Sequence, residues 1–174
     1  TIMAKYGQFL ADKMFADSEN RQSLNVTGAV ERGAVGIISV QLPPITTVVG
    51  SELLVMWQQA DDITNYIVNV KNNLDEILYR SEVAGSRVIV DLGMAQLQKE
   101  HLLIVNIQAK SNPSIMSKDY GIQRVTGSQK KNIESEVNSL RTQAGQNNAL
   151  GRLLLASYYE EHRLVGDAML CYDM

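Results

Sequence analysis

The sequence predicts a mainly β fold with flanking helices: a seven-stranded antiparallel sandwich between an N-terminal amphipathic helix and a C-terminal helical segment. Two observations predict it. Apolar residues recur about every 3.6 positions at the start of the chain, every second position from near residue 35, and at helical spacing again from near residue 126. Within the middle stretch, short apolar runs are separated by turn-forming residues, and no long helical pattern intervenes, which argues against a parallel βαβ sheet. The expected organisation is a helix and linker over residues 1–34, the sandwich over 35–126 and helices over 127–174.

The elements follow in order. Met3, Tyr6, Leu10 and Met14 recur at helical spacing with Ile2 and Phe9 beside them, and Asp17-Ser18-Glu19-Asn20 ends the pattern. Asn25-Val26-Thr27 fits the glycosylation sequon, a triplet short enough to arise by chance. Gly36 to Leu42 is the expected first strand, stopped by Pro43-Pro44, which cannot donate to a ladder. Leu53 to Trp57 is the second, with Trp57 on the apolar face of Leu53 and Val55 and so expected in the core. Ala60-Asp61-Asp62 turns into the third, where Tyr66, Val68 and Val70 share one side. Asn72 to Asp75 reads as a hairpin-type turn into a fourth strand, Glu76 to Val83, and Ala84-Gly85-Ser86 as the turn into a fifth, Arg87 to Leu92. An irregular or helical crossing over Met94 to Glu100 precedes the sixth strand, in which Leu103, Val105, Ile107 and Ala109 alternate onto one face. Lys118 to Val125 is the seventh.

Thr126 or Ser128 is placed to cap a helix over Gln129 to Gln143, with Ile133, Val137 and Leu140 on its apolar stripe. Gly145-Gln146-Asn147-Asn148 breaks it. A second helix carries Leu150, Leu153, Leu154, Ser157 and Tyr158, and a third carries Leu164, Ala168 and Tyr172, with Asp167 as its candidate cap. The chain opens and closes inside helical patterns, as expected of a segment of a longer protein.

Composition narrows the function. Hydrophobic residues make up 45% of the chain, enough for a real core. A net charge of −3, with Lys130-Lys131 as the longest basic cluster, argues against nucleic acid as a partner. The single cysteine, Cys171, excludes an internal disulfide and a cysteine zinc site, and its neighbours Ala168, Met169 and Leu170 predict a buried thiol. No run approaches the roughly 18–20 apolar residues that cross a bilayer, so no membrane-spanning segment is expected. The two histidines, His101 and His162, lie far apart in sequence, and no serine sits in a nucleophile-elbow pattern. Asp61-Asp62, Asp75-Glu76 and Glu160-Glu161 read as turn and helix surface, and Gly33-Ala34-Val35-Gly36 lacks the Lys-Ser/Thr of a phosphate loop. No catalytic residue, no cofactor and no metal site is therefore expected, and the chain is predicted not to be an enzyme.

Several stretches resemble known families. Trp57, followed by Tyr66-Ile67-Val68-Asn69-Val70, resembles the fibronectin type III (immunoglobulin-like) sandwich, in which a second-strand tryptophan centres the core. Leu97 and, six residues on, Leu103 resemble that family's leucine-to-tyrosine turn. Leu103 stands where the tyrosine would, which implies a crossing held by packing alone. The likeness covers residues 36–125. Leu155 to Tyr159, then Leu164, Asp167-Ala168 and Tyr172, is similar to one tetratricopeptide-type hairpin, with small Ala156 and Ala168 allowing close helix approach. The order of parts, with Asn25 to Arg32 before the sandwich and a Leu-Leu-Ala-Ser-Tyr-Tyr helix after it, resembles a group of uncharacterised bacterial cell-envelope proteins.

That last resemblance implies a non-catalytic structural or protein–protein interaction module in the periplasm or cell envelope, with other envelope proteins or a second copy as partner. The candidate contact surfaces are the stripe of the first helix (Tyr6, Phe9, Leu10) and the terminal hairpin (Leu154, Tyr158, Tyr159, Met169), since a lone helix or hairpin leaves apolar area to cover. The alternative is that both faces pack on the sandwich. Two other functions stay open: a carbohydrate-binding or adhesive module with Trp57 as an exposed stacking platform, and a hydrolase whose unrecognised site joins His101 or His162 to a serine and an acid.

Overall fold

The computed structural model describes residues 38–145 and 148–173, together with Ala4, Gly7, Gln8 and Ala11. Its strands are β1 (Ile45–Val48), β2 (Glu52–Met56), β3 (Asn65–Lys71), β4 (Ile77–Ala84), β5 (Arg87–Asp91), β6 (Leu102–Ala109) and β7 (Tyr120–Arg124). Three helices follow: α1 (Gly127–Ala144), α2 (Ala149–Glu161) and α3 (Val165–Asp173). The strands form a five-stranded sheet, ordered β1-β7-β6-β3-β4, and a two-stranded sheet, β2-β5.

The alternation read from the sequence sets which side chains go inward. Tyr66, Val68 and Val70 of β3 and Leu103, Val105 and Ile107 of β6 are fully buried. They share one core with Leu53, Val55 and Val90 of the smaller sheet. Each such side chain stabilises by about 1.5–3 kcal/mol relative to exposure, so a one-residue slip of β3, which would turn all three outward, is strongly disfavoured. Trp57 lies within this core, 2% exposed, with its ring edge-on to Tyr66 at 5.3 Å between centroids. Among the described residues its buried indole N–H has no hydrogen-bond partner. The Tyr66 hydroxyl ties down the preceding turn, accepting from the Ala60 N–H at 2.9 Å and donating to the Ile63 carbonyl at 3.2 Å.

Turns fall where turn chemistry was legible. Asp62 and Asp75 adopt left-handed backbone (φ 65° each), as does Gly85 (φ 93°). The Asn72 side-chain oxygen accepts from the N–H groups of Leu74 (2.9 Å) and Glu76 (3.0 Å), which fixes the β3–β4 hairpin.

Three expectations are corrected. The first strand does not run from Gly36 to Leu42. Among the described residues of that stretch only a bridge forms, between Val40 and Trp57, and β1 begins after the prolines. Pro43 and Pro44 break the ladder, and the β-branched run that follows pairs with β7 instead. That pairing is parallel, from Ile45 opposite Gly121 to Val48 opposite Arg124, so the larger sheet is mixed rather than wholly antiparallel. The β5–β6 crossing is not held by packing alone. The Arg124 guanidinium donates to the carbonyls of Leu97 (3.2 Å) and Leu92, a tie supplied from β7 in place of a tyrosine hydroxyl. The expected N-terminal helix, with Tyr6, Phe9 and Leu10, lies outside the described residues apart from isolated positions, and so does the sequon at 25–27.

The helices build a second core. Ile133, Val137 and Leu140 of α1 pack with Leu154, Leu155 and Tyr158 of α2, with Leu164 and Ala168, and with Val49 from the β1–β2 turn. Ala156 and Ala168 are buried where α2 and α3 meet, as their small size requires. Thr126 holds the N-cap position of α1 but makes no side-chain capping bond, whereas Asn148 caps α2 by accepting from the Gly151 N–H at 2.6 Å.

Candidate functional site

The two sheets and the helices meet at the β1–β2 turn. Asp167, in the first turn of α3, is 4% exposed. One carboxylate oxygen accepts the Val49 N–H and the other the Gly50 N–H, both at 2.8 Å. The sequence suggested Asp167 as a cap for its own helix; the structure aims it at a turn 117 residues away. Gly50 permits this approach, since a Cβ there would stand 2.6 Å from the Asp167 oxygen. Gly166 does the same one residue earlier, where a Cβ would collide with Val48 Cγ1. Val125 N–H to Val48 carbonyl (2.9 Å) and Leu92 N–H to Ser51 carbonyl (2.7 Å) hold the rest of the turn.

Beside this joint lies a cleft of about 830 Å³. The β1–β2 turn forms one wall with Val48, Val49, Ser51 and Glu52; the β5–β6 crossing adds Gln98, Glu100 and His101. The helix α1, which leaves β7 through Arg124, Val125 and Thr126, lines it with Lys130, Ile133, Glu134, Val137, Asn138 and Arg141. Tyr159 of α2 and Asp167, Leu170 and Cys171 of α3 close the inner end. This volume lies within the range of small-molecule sites, about 300–1,000 Å³.

Burial sets the electrostatics. It raises the Asp167 pKa, against the backbone N–H groups of Val49, Gly50 and Asp167 itself, which favour the charged form. It pushes the Cys171 thiol up to about 11, helped by the Asp167 charge, so the thiol stays protonated near neutral pH. The Tyr159 phenol is likewise raised, by burial and then by Asp167, with Arg141 opposing. Arg124 is lowered by burial, with Asp91 opposing.

The sequence-predicted residues are divided. Leu154, Tyr158 and Tyr159 are buried in the second core, and Met169 packs against the first, so this face of the hairpin is covered by the chain itself. Of that set only Tyr159 reaches the cleft. His101 is exposed at the cleft wall; His162 stacks on Tyr158 and places Nδ1 2.8 Å from its carbonyl. Among the described residues neither ring bonds a serine or a carboxylate, no three metal-ligating side chains gather, and no helix is long and apolar enough to cross a membrane. Sequence reasoning missed the reach of Asp167, because it depends on a turn more than a hundred residues distant.

No protein-family model matches the chain, and no curated protein matches it.

Proposed function

We propose that this chain is a non-catalytic structural module of a bacterial envelope assembly, in which a fibronectin type III-like sandwich presents a tetratricopeptide-like hairpin to another envelope protein. The observation that carries this reading is the buried Asp167 joint, which ties the hairpin to the β1–β2 turn through two charge-assisted hydrogen bonds. A joint of that kind makes one rigid body of two parts, which suits a scaffold. The strand order, the Trp57–Tyr66 contact and the buried Leu97 and Leu103 support the sandwich likeness. The envelope location rests on the resemblance of the order of parts alone. Because Leu154, Tyr158 and Tyr159 are buried, the hairpin's contact surface is assigned to its exposed apolar side chains, Leu150 and Tyr172. The carbohydrate reading loses its platform, since Trp57 is buried.

The test is site-specific photo-crosslinking in the native cell with the probe at position 150, followed by fractionation. A discrete adduct with one envelope protein is the expected result. A chain found in the cytoplasmic fraction, or one giving no adduct from position 150 or 172, would overturn the proposal.

A further inference from the structure

The five-stranded sheet ends on one side in β4, and among the described residues no strand pairs with its outer edge. The ladder shows which backbone groups lie there. The Gly85 N–H donates to the Thr64 carbonyl at 3.0 Å, and bonded pairs alternate along an antiparallel ladder. Val83, Ser81 and Tyr79 therefore turn their backbone groups toward β3, while those of Arg80, Glu82 and Ala84 point outward. Water serves the outward groups in a single chain, so the open edge alone selects no partner. The side chains beside it do.

From the bulge at Leu78 to Ala84 the strand is regular and carries no proline, no lysine and no inward-facing charge, three devices that keep edges from pairing. Arg80 and Glu82 stand exposed on the outer face; Tyr79 and Val83 are half-buried on the inner face, against the first core. Arg80 has no ion pair among the described residues, and Lys110 engages only one oxygen of Glu82, at 2.6 Å. A two-fold axis through Ser81 sets Arg80 opposite Glu82 of a second copy, Glu82 opposite its Arg80, and Tyr79 opposite its Val83. The outward backbone groups of Arg80 and Glu82 then meet as bonded pairs. Moving the axis one residue earlier sets Arg80 against Arg80, and one residue later Glu82 against Glu82. Charge selects a single register. The other edges offer less. β1 has four residues and follows Pro43-Pro44, while on β5 Arg87 is paired with Asp173 and Asp91 accepts the Gly93 N–H.

We propose that the chain pairs with a second copy of itself through β4, antiparallel about an axis at Ser81, so that the two larger sheets become one. The surface shares no residue with the hairpin, so this pairing and the photo-crosslinking at position 150 fail separately.

The experiment is analytical ultracentrifugation of the purified full chain from about 10 μM to about 1 mM. An edge-to-edge interface is small and therefore weak, and a monomer–dimer equilibrium with Kd on the order of 100 μM is expected. Arg80→Glu and Glu82→Arg should each weaken it about tenfold or more, because each sets like charges opposite one another twice. An equimolar mixture of the two variants should regain the native affinity as a heterodimer, as should the double exchange in one chain. Ser81→Cys should give a dimer linked from 81 to 81 on mild oxidation, since a non-bonded antiparallel pair brings Cα atoms to about 4.5 Å. A monomer throughout, a dimer indifferent to both charge reversals, a mixture no more dimeric than either variant alone, or no 81-to-81 link would each overturn the proposal.

Discussion

The Asp167 carboxylate accepts the Gly50 N–H at 2.8 Å, and a methyl group on Gly50 would stand 2.6 Å from that same oxygen. The bond and the missing side chain are one arrangement. Asp167→Ala leaves two backbone donors without acceptors, and Gly50→Ala forces apart a carboxylate that Val49 also pins. Each should lower unfolding free energy by about 2–4 kcal/mol. In urea denaturation the double variant should cost clearly less than the two single changes added together. Full additivity would show that the two residues do not act through one contact.

Asp167 also sets a pH dependence of unusual sign. Its folded-state pKa is raised by burial above the unfolded value of about 3.9, so the folded chain binds this proton more tightly. The resulting stabilisation is complete below the unfolded pKa and is lost as pH rises through the folded one. The Tyr159 and Cys171 side chains feel its charge, and the backbone N–H groups that bond it favour the charged form without outweighing burial. The stability of the native chain relative to Asp167→Asn should therefore be greater at pH 4 than at pH 7. A difference that grows as pH rises would contradict the desolvation account.

The crossing between β5 and β6 depends on Arg124. Replacing it by methionine keeps most of the stem and removes the donors to Leu92 and Leu97. A loss of about 1–3 kcal/mol is expected. Amide exchange should accelerate over residues 92–100 more than in β3, and uniform acceleration would place the effect elsewhere.

Cys171, pushed up to about 11, should be slow to alkylate. A free thiol has a pKa near 8.5, so the native thiolate fraction at pH 7.5 is lower by roughly two orders of magnitude. Iodoacetamide should react that much faster with the urea-unfolded chain. Equal rates would mean an open, unperturbed thiol.

Much of the fold was legible because two-residue alternation is a local signal. Tyr66, Val68 and Val70, and likewise Leu103, Val105 and Ile107, declare their buried face within a single strand. The stripe of Ile133, Val137 and Leu140 does so within one helix. The first strand was misplaced because Gly36 to Leu42 has the same apolar character as a strand. The true β1, Ile45–Val48, has its β-branched signal but owes its pairing to distant β7. The hairpin residues Leu154 and Tyr158 were legible as apolar but not as covered, since their covering comes from α1 and from Val49. The cleft was not legible at all. Arg141, Tyr159 and Asp167 sit on three separate helices and meet only through the tertiary fold.

The parallel pairing of β1 with β7 has a mechanical consequence. In a parallel pair the chain enters one strand at one end and leaves the other at the opposite end, so tension between the segment before Ile45 and the helix after Arg124 pulls the strands lengthwise past each other. The ladder from the Gly121 N–H on Pro44 (2.8 Å) to the Val125 N–H on Val48 (2.9 Å) then shares the load and must rupture together, instead of peeling open one rung at a time.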